Sequence, residues 1–166
     1  MNLGCAAARN TILEAANGAF IAFFDDDDMS KFDRLTLQHA KITEHERKHK
    51  VRNVACYTSG TRTYPNGYNL PIYAVGSNGN AAVGTEMVDY LLFNKRRTNV
   101  FFGAGTPANS LMIRTTVLRN LGGFDTLMRR QEDADFAIRL GFEGGHFIGI
   151  TDMVLLQFST TGTEKS

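Results

Sequence analysis

The sequence predicts an α/β fold, a single domain of short buried strands separated by helices, with an antiparallel insertion. Three observations carry the prediction. AFIAFF from Ala19 and VACYT from Val54 are apolar at successive positions, as strands buried on both faces are. Stretches rich in helix formers, such as CAAARNTILEAANG from Cys5 and EDADFAIRLGFEG from Glu132, alternate with them. Pro65-Asn66-Gly67 stands between residues suited to strands, which is a β-hairpin signal.

In chain order, the first helix stops at Asn17-Gly18, where glycine tolerates the left-handed backbone of a helix end. AFIAFF follows as a strand of the kind found inside a parallel sheet, and Asp25, Asp26, Asp27 and Asp28 fill the loop at its carboxyl end. A helix is predicted from about Lys31 to Lys48, with a thin apolar stripe of Phe32, Leu35 and Ile42, and VRNVACYTSG is a second core strand. TRTYPNGYNLPIYAV forms the hairpin, GSNGNAAVG a flexible loop and TEMVDYLLFNKRR an amphipathic helix. ANSLMIR is a further strand, and TTVLRNL is a short helix stopped by Gly122-Gly123. The helix EDADFAIRLGFEG then leads to two closing apolar stretches, HFIGI and MVLLQF.

Composition narrows the function classes. At 166 residues, 43% hydrophobic and 21% charged, the chain resembles ordinary globular domains and is long enough to bury a core. A net charge of +1 creates no large field, so composition offers no support for nucleic acid as partner. The basic stretch KITEHERKHKVR reads as a solvated helix face, with a phosphate or lipid headgroup contact as the alternative. No apolar run approaches the roughly 18 residues of a membrane span, and MNLGCAAARN lacks the pattern of a secretory signal. Cys5 and Cys56 form no metal-spacing motif and suit a reducing compartment. The expected location is the cytoplasm, including the inner face of the membrane. His39, His45 and His49 fall in the long helix as solvated residues, His146 opens an apolar strand, and none has metal-ligand spacing with a partner.

Four adjacent carboxylates repel one another, by roughly 1 kcal/mol per pair at 4 Å in water and about four times that in a partly buried site. Their position offers a reason, because ligands of open α/β sheets bind at the carboxyl ends of the strands. A hard cation such as Mg²⁺ or Mn²⁺, held by carboxylate oxygens, stabilises negative charge on a departing diphosphate. The plainer alternative is an acidic turn that caps the next helix.

ARNTILEAANGAFIAFFDDDD, NSLMIR and LRNLGGFDTLMRRQEDADFAIRL, in that order, resemble the family 2 glycosyltransferases, and the resemblance runs from the first residues to about Ile150. It implies a GT-A fold, a Rossmann-like mixed sheet flanked by helices, here with a β-hairpin insertion and N-terminally truncated. It also implies inverting transfer of a sugar from a nucleotide-sugar donor, most simply a UDP-sugar, to a hydroxyl of a glycan or lipid-linked acceptor. The family's Asp-any-Asp motif corresponds to Asp25 and Asp27. Asp25 and Asp26 are then expected at the donor, and Asp27 with Asp25 at a Mn²⁺ or Mg²⁺ ion, while Asp28 is left to capping or loop geometry. Arg9 is expected near the donor, with an ordinary exposed arginine as the alternative, and Asn10 is read as structural.

The resemblance assigns the general base to Asp133, with Glu132 orienting the acceptor. Inverting transfer needs such a base on the face opposite the leaving group. A carboxylate at a helix N-terminus stays ionised, which would make Asp133 only weakly basic. Asp135 and Arg139 read as a surface pair one turn apart. Residues 1–60 are expected to be the remainder of a donor-binding half and residues 61–166 an acceptor and catalytic half.

Complete members of the family carry strand-helix units upstream of ARN. Their absence predicts an apolar sheet edge beside AFIAFF, covered by an oligomer contact or a partner chain. Two other readings follow: a non-catalytic fragment or subunit of the same fold, and an acidic Ca²⁺-binding module. The second is the weaker, since the aspartates are consecutive rather than alternating with glycine.

Overall fold

The computed structural model describes residues 4–159. The chain forms α1 (Gly4–Ala15), β1 (Phe20–Ala22), β2 (Met29–Ser30), α2 (Arg34–His49), β3 (Val54–Thr63), β4 (Asn69–Ile72) and β5 (Ala82–Val83). It continues with α3 (Thr85–Phe93), a single 3-10 turn (Ala108–Ser110), β6 (Leu111–Arg114), α4 (Thr115–Asn120), α5 (Glu132–Phe142) and β7 (His146–Phe158). The strands make one mixed sheet in the order β1-β6-β3-β7-β2, with β4 beside β3 and β5 beside β7.

Alternation along the central strands builds a core on each face of the sheet. Ala55, Tyr57, Leu111, Ile113 and Phe147 join Leu13 of α1, Met87 of α3, Leu118 of α4 and Phe136 of α5 on one side. Val54, Cys56, Met112 and Ile148 join Ile42 of α2 on the other. A strand with both faces covered reads as continuously apolar, which is why these segments were legible.

AFIAFF departs from its expectation. Its strand has only three residues, pairs antiparallel with β6, and has no second strand partner among the described residues. Apolar faces report what lies above and below a strand, not the direction of its neighbour. Phe24 just beyond it is 49% exposed, so this end of the sheet is an apolar edge, as expected.

The hairpin forms as predicted, with Thr63 opposite Asn69 and the turn closed by Gly67 N–H donating to the Tyr64 carbonyl at 2.9 Å. GSNGNAAVG contains β5, which borrows its partner from β7. HFIGI and MVLLQF are one strand rather than two, because β7 runs unbroken beside β3 and absorbs Thr151 and Asp152 in a register shift.

The apolar stripe expected of α2 is wrong in two of three positions. Phe32 lies outside the helix and, like Leu35, is exposed, while the buried face is Arg34, Gln38, Ile42 and Glu46. Those polar groups are all matched. Gln38 Nε2 donates to the Cys56 and Ser110 carbonyls at 2.8 and 2.9 Å, and Arg34 Nη2 donates to the Phe23 and Asn109 carbonyls at 2.8 Å each. Glu46 receives Arg114 from β6, with Nη2 donating at 2.6 Å, so the basic stretch is not wholly a solvated face. Each of these carbonyls left without a donor would cost about 1–3 kcal/mol.

Candidate active site

Backbone geometry first explains why the aspartates project as a group. Beyond β1 the chain turns at Asp26-Asp27, closed by Asp28 N–H donating to the Asp25 carbonyl at 3.2 Å, and then enters β2 against β7. Buried Arg34 holds both sides of this turn, through the Phe23 carbonyl before it and the Asn109 carbonyl opposite. Asn109 in turn donates its side-chain amide to Asp28 at 2.7 Å.

Carboxylate oxygens of Asp25, Asp27 and Asp28 come within 4.8 Å of one another. Asp26 is exposed at the corner of the turn and outside this cluster. None of the four caps α2, which begins only at Arg34 after Asp33 and β2, so the capping alternative fails for them. Asp28 caps no helix; its place in the loop geometry holds through the Asn109 amide and the turn to Asp25, and its carboxylate also joins the acidic cluster. Burial first, and then the charges of Asp25 and Asp27, raise its pKa against the opposing hydrogen bond from Asn109.

Arg9 joins this loop to the second motif. Its Nη2 lies 3.6 Å from Asp25 Oδ1, and its Nη1 donates to Glu132 Oε1. The arginine is largely buried, its side chain 13% exposed, which removes the reading of an ordinary surface residue. The junction around Phe124 positions it. Asn10, its neighbour on α1, holds Phe124 at two points, donating to the carbonyl and accepting from the N–H at 2.8 Å each. The Phe124 ring packs edge-on against Phe23 and lies 5.6 Å below the Arg9 guanidinium. Gly123 supplies the left-handed φ of 72° that this junction requires, and a Cβ there would lie 2.5 Å from Asn10.

Glu132 and Asp133 open α5 after Gln131, a non-glycine residue at φ 67°. Asp133 accepts from the Ala134 N–H at 2.8 Å. Its pKa is raised, by burial first and by Glu132, with the Ala134 N–H and Arg9 opposing. Loss of solvent thus works against the N-terminal dipole, which favours the charged carboxylate. Asp135 and Arg139 do pair, at 2.8 Å, but Arg139 also donates to the Gly123 carbonyl and so ties α5 to the Phe124 junction.

One residue near the site carried no sequence signal. Tyr57 of β3 is fully buried and its hydroxyl has no hydrogen-bond partner among the described residues. Burial, followed by the Asp133 charge, pushes that hydroxyl well above the usual phenol range. No alternation rule tells an inward tyrosine of a core strand from one beside a carboxylate.

The family model described as Glycosyl transferase family 2 matches residues 1–117. No curated protein sequence matches the chain. Among solved structures, S. aureus TarS 1-349 in complex with UDP is similar at 17% identity and a TM-score of 0.63, covering 96% of this chain and 41% of that one. A second S. aureus TarS structure is similar at 18% identity and a TM-score of 0.59, covering 94% and 24%. The chain thus spans under half the length of these structures, and the likeness establishes the fold.

Proposed function

The chain belongs to glycosyl transferase family 2, and on that premise we propose that it transfers a sugar from a nucleotide-sugar donor, a UDP-sugar, to an acceptor hydroxyl with inversion. The acceptor is a glycan or lipid-linked chain in polysaccharide assembly, and the work is done in the cytoplasm or at the inner face of the membrane. Residues 1–60 contribute donor-side groups and residues 61–166 the acceptor side. What supports the reading is the Arg9 bridge, which ties the acidic loop to the Glu132-Asp133 pair, so that in this reading the two face one cleft. The UDP in the similar TarS structure favours a uridine nucleotide.

Asp25, Asp27 and Asp28 fit a hard divalent cation, since an oxygen of each lies within 4.8 Å of the others and carboxylate oxygens are the ligands such ions prefer. When bound there, Mn²⁺ or Mg²⁺ supplies positive charge that stabilises a leaving diphosphate. Asp25 and the exposed Asp26 take the donor side of the loop, with Arg9 offering its cation to the nucleotide. On the other wall, Asp133 accepts the proton of the acceptor hydroxyl as its oxygen bonds to the anomeric carbon and the sugar–phosphate bond breaks. The raised pKa makes Asp133 a better base than an exposed aspartate. Glu132, gripped by Arg9, orients the acceptor beside it.

Calorimetry with Mn²⁺ and UDP, run beside a transfer assay, tests this division. Asp27→Ala is expected to abolish cation-dependent UDP binding, whereas Asp133→Asn keeps binding and stops transfer. Equal loss of UDP affinity in both variants would contradict it.

The apolar edge at β1 favours a second reading, a non-catalytic subunit that needs further polypeptide there. A recess of about 360 Å³ lined by Phe20, Phe24, Leu35 and Met112 lies along that edge. Transfer by the chain alone, compared with the chain plus a separately expressed upstream segment, separates the two readings.

A further inference from the structure

We propose that His45, His49 and His146 form a binding site for a divalent transition-metal ion of the Zn²⁺ or Ni²⁺ type, separate from the acidic cleft. His45 and His49 lie one turn apart on α2 and their rings stack at 4.3 Å. His146, the first residue of β7, meets them from the sheet, its Nδ1 only 2.9 Å from His45 Nε2. Its ring centroid is 5.9 Å from that of His49. The three rings therefore converge although the sequence separates His45 from His146 by 101 positions.

The His45–His146 contact already resembles a ligand pair. A hydrogen bond between two ring nitrogens requires that one of them be unprotonated, so a lone pair points into the contact. Two nitrogens bound to one Zn²⁺ at 2.0–2.1 Å in tetrahedral geometry stand roughly 3.3 Å apart. Opening the observed 2.9 Å to that distance needs a shift of only a few tenths of an ångström. The shared proton moves to the far nitrogen of its own ring, so two neutral imidazoles become ligands without net proton loss. His49 is exposed, and a change of its rotamer out of the stack on His45 would bring a third nitrogen toward the same point, with water completing the set.

Chemistry selects the ion. The rings line a cavity of about 360 Å³ whose other charged residues are Lys41 and Lys48. Without a carboxylate on its wall, such a site has little attraction for Mg²⁺ or Mn²⁺, which prefer oxygen ligands, but suits ions that take imidazole lone pairs. Position separates it from the cleft as well. β1 and β3 both run antiparallel to β6, and β7 runs parallel to β3. The aspartates follow the carboxyl end of β1 and His146 opens the amino end of β7, so the two sites occupy opposite ends of the sheet. A metal there would pin the last turn of α2 to the sheet.

The experiment uses untagged, chelator-stripped chain carrying Asp27→Ala, which silences the acidic cluster, titrated with Zn²⁺ by calorimetry and with Co²⁺ by visible absorption. One ion per chain is expected, with the d–d bands of a four-coordinate nitrogen site, a higher thermal midpoint on metal addition and no competition from Mg²⁺. His146→Gln and His45→Asn, checked for native circular dichroism, should each weaken Zn²⁺ by about tenfold or more. Absence of binding, or affinity unchanged in His146→Gln, would overturn the proposal.

Discussion

Removing the Arg9 cation while keeping its apolar stem, as in Arg9→Met, isolates the bridge between the acidic loop and the Glu132-Asp133 pair. The Arg9 and Glu132 side chains are each only 13% exposed, so their hydrogen bond is charge-assisted and largely shielded from water. Hydrogen bonds to charged groups contribute about 1.5–3 kcal/mol, and the Glu132 carboxylate left behind adds a desolvation cost. Arg9→Met is therefore expected to lose about 2–4 kcal/mol. Asp25 is 43% exposed and sits 3.6 Å away, so its coupling to Arg9 should stay below about 1 kcal/mol. The assay is a pair of double-mutant cycles by urea unfolding, Arg9→Met with Glu132→Gln and Arg9→Met with Asp25→Asn. Coupling of about 1.5–3 kcal/mol is expected in the first cycle and less in the second. A first-cycle coupling under about 0.5 kcal/mol would refute the bridge, and with it the case for a single cleft.

Two further outcomes follow from the buried groups beside the cleft. Burial raises the Asp133 pKa, so its contribution to stability is present below the unfolded value and is lost as pH rises through the folded value. Asp133→Asn should thus be more stable than the parent chain near neutral pH and lose that advantage below the carboxylate range. Denaturant midpoints at both pH values check this, and a parent chain equally stable at each would count against it. Tyr57→Phe removes a buried hydroxyl that has no partner among the described residues, and is expected to be neutral or to gain up to about 1 kcal/mol by thermal unfolding. A loss larger than that would mean the hydroxyl is hydrogen-bonded.

Strands and helices that carry their own periodicity were legible before any coordinates. β3, β6, α3 and α5 fall where apolar runs and helix formers put them, and Pro65-Asn66-Gly67 closes the predicted hairpin. The reading failed where partners decide the outcome. α2 buries Arg34, Gln38 and Glu46 because the Cys56 carbonyl of β3, carbonyls just beyond β1 and just before β6, and an arginine on β6 await them. Those partners lie far along the chain and leave no mark on the helix's own pattern.

By itself, the sequence determined which residues are chemically equipped to act: the aspartate run at a strand end, Arg9, and Glu132 with Asp133 at a helix start. Charge and helix position are properties of short segments and are readable locally, whereas it was the resemblance to a family that singled out Arg9, Glu132 and Asp133 among the charged residues. Only the tertiary structure decided that Arg9 touches both acidic groups, that Asp28 joins the cluster while Asp26 does not, and that His45 meets His146. Hydrogen bonds, desolvation and pKa shifts depend on distances of a few ångströms, and the folded sheet alone brings residues more than a hundred positions apart within that range.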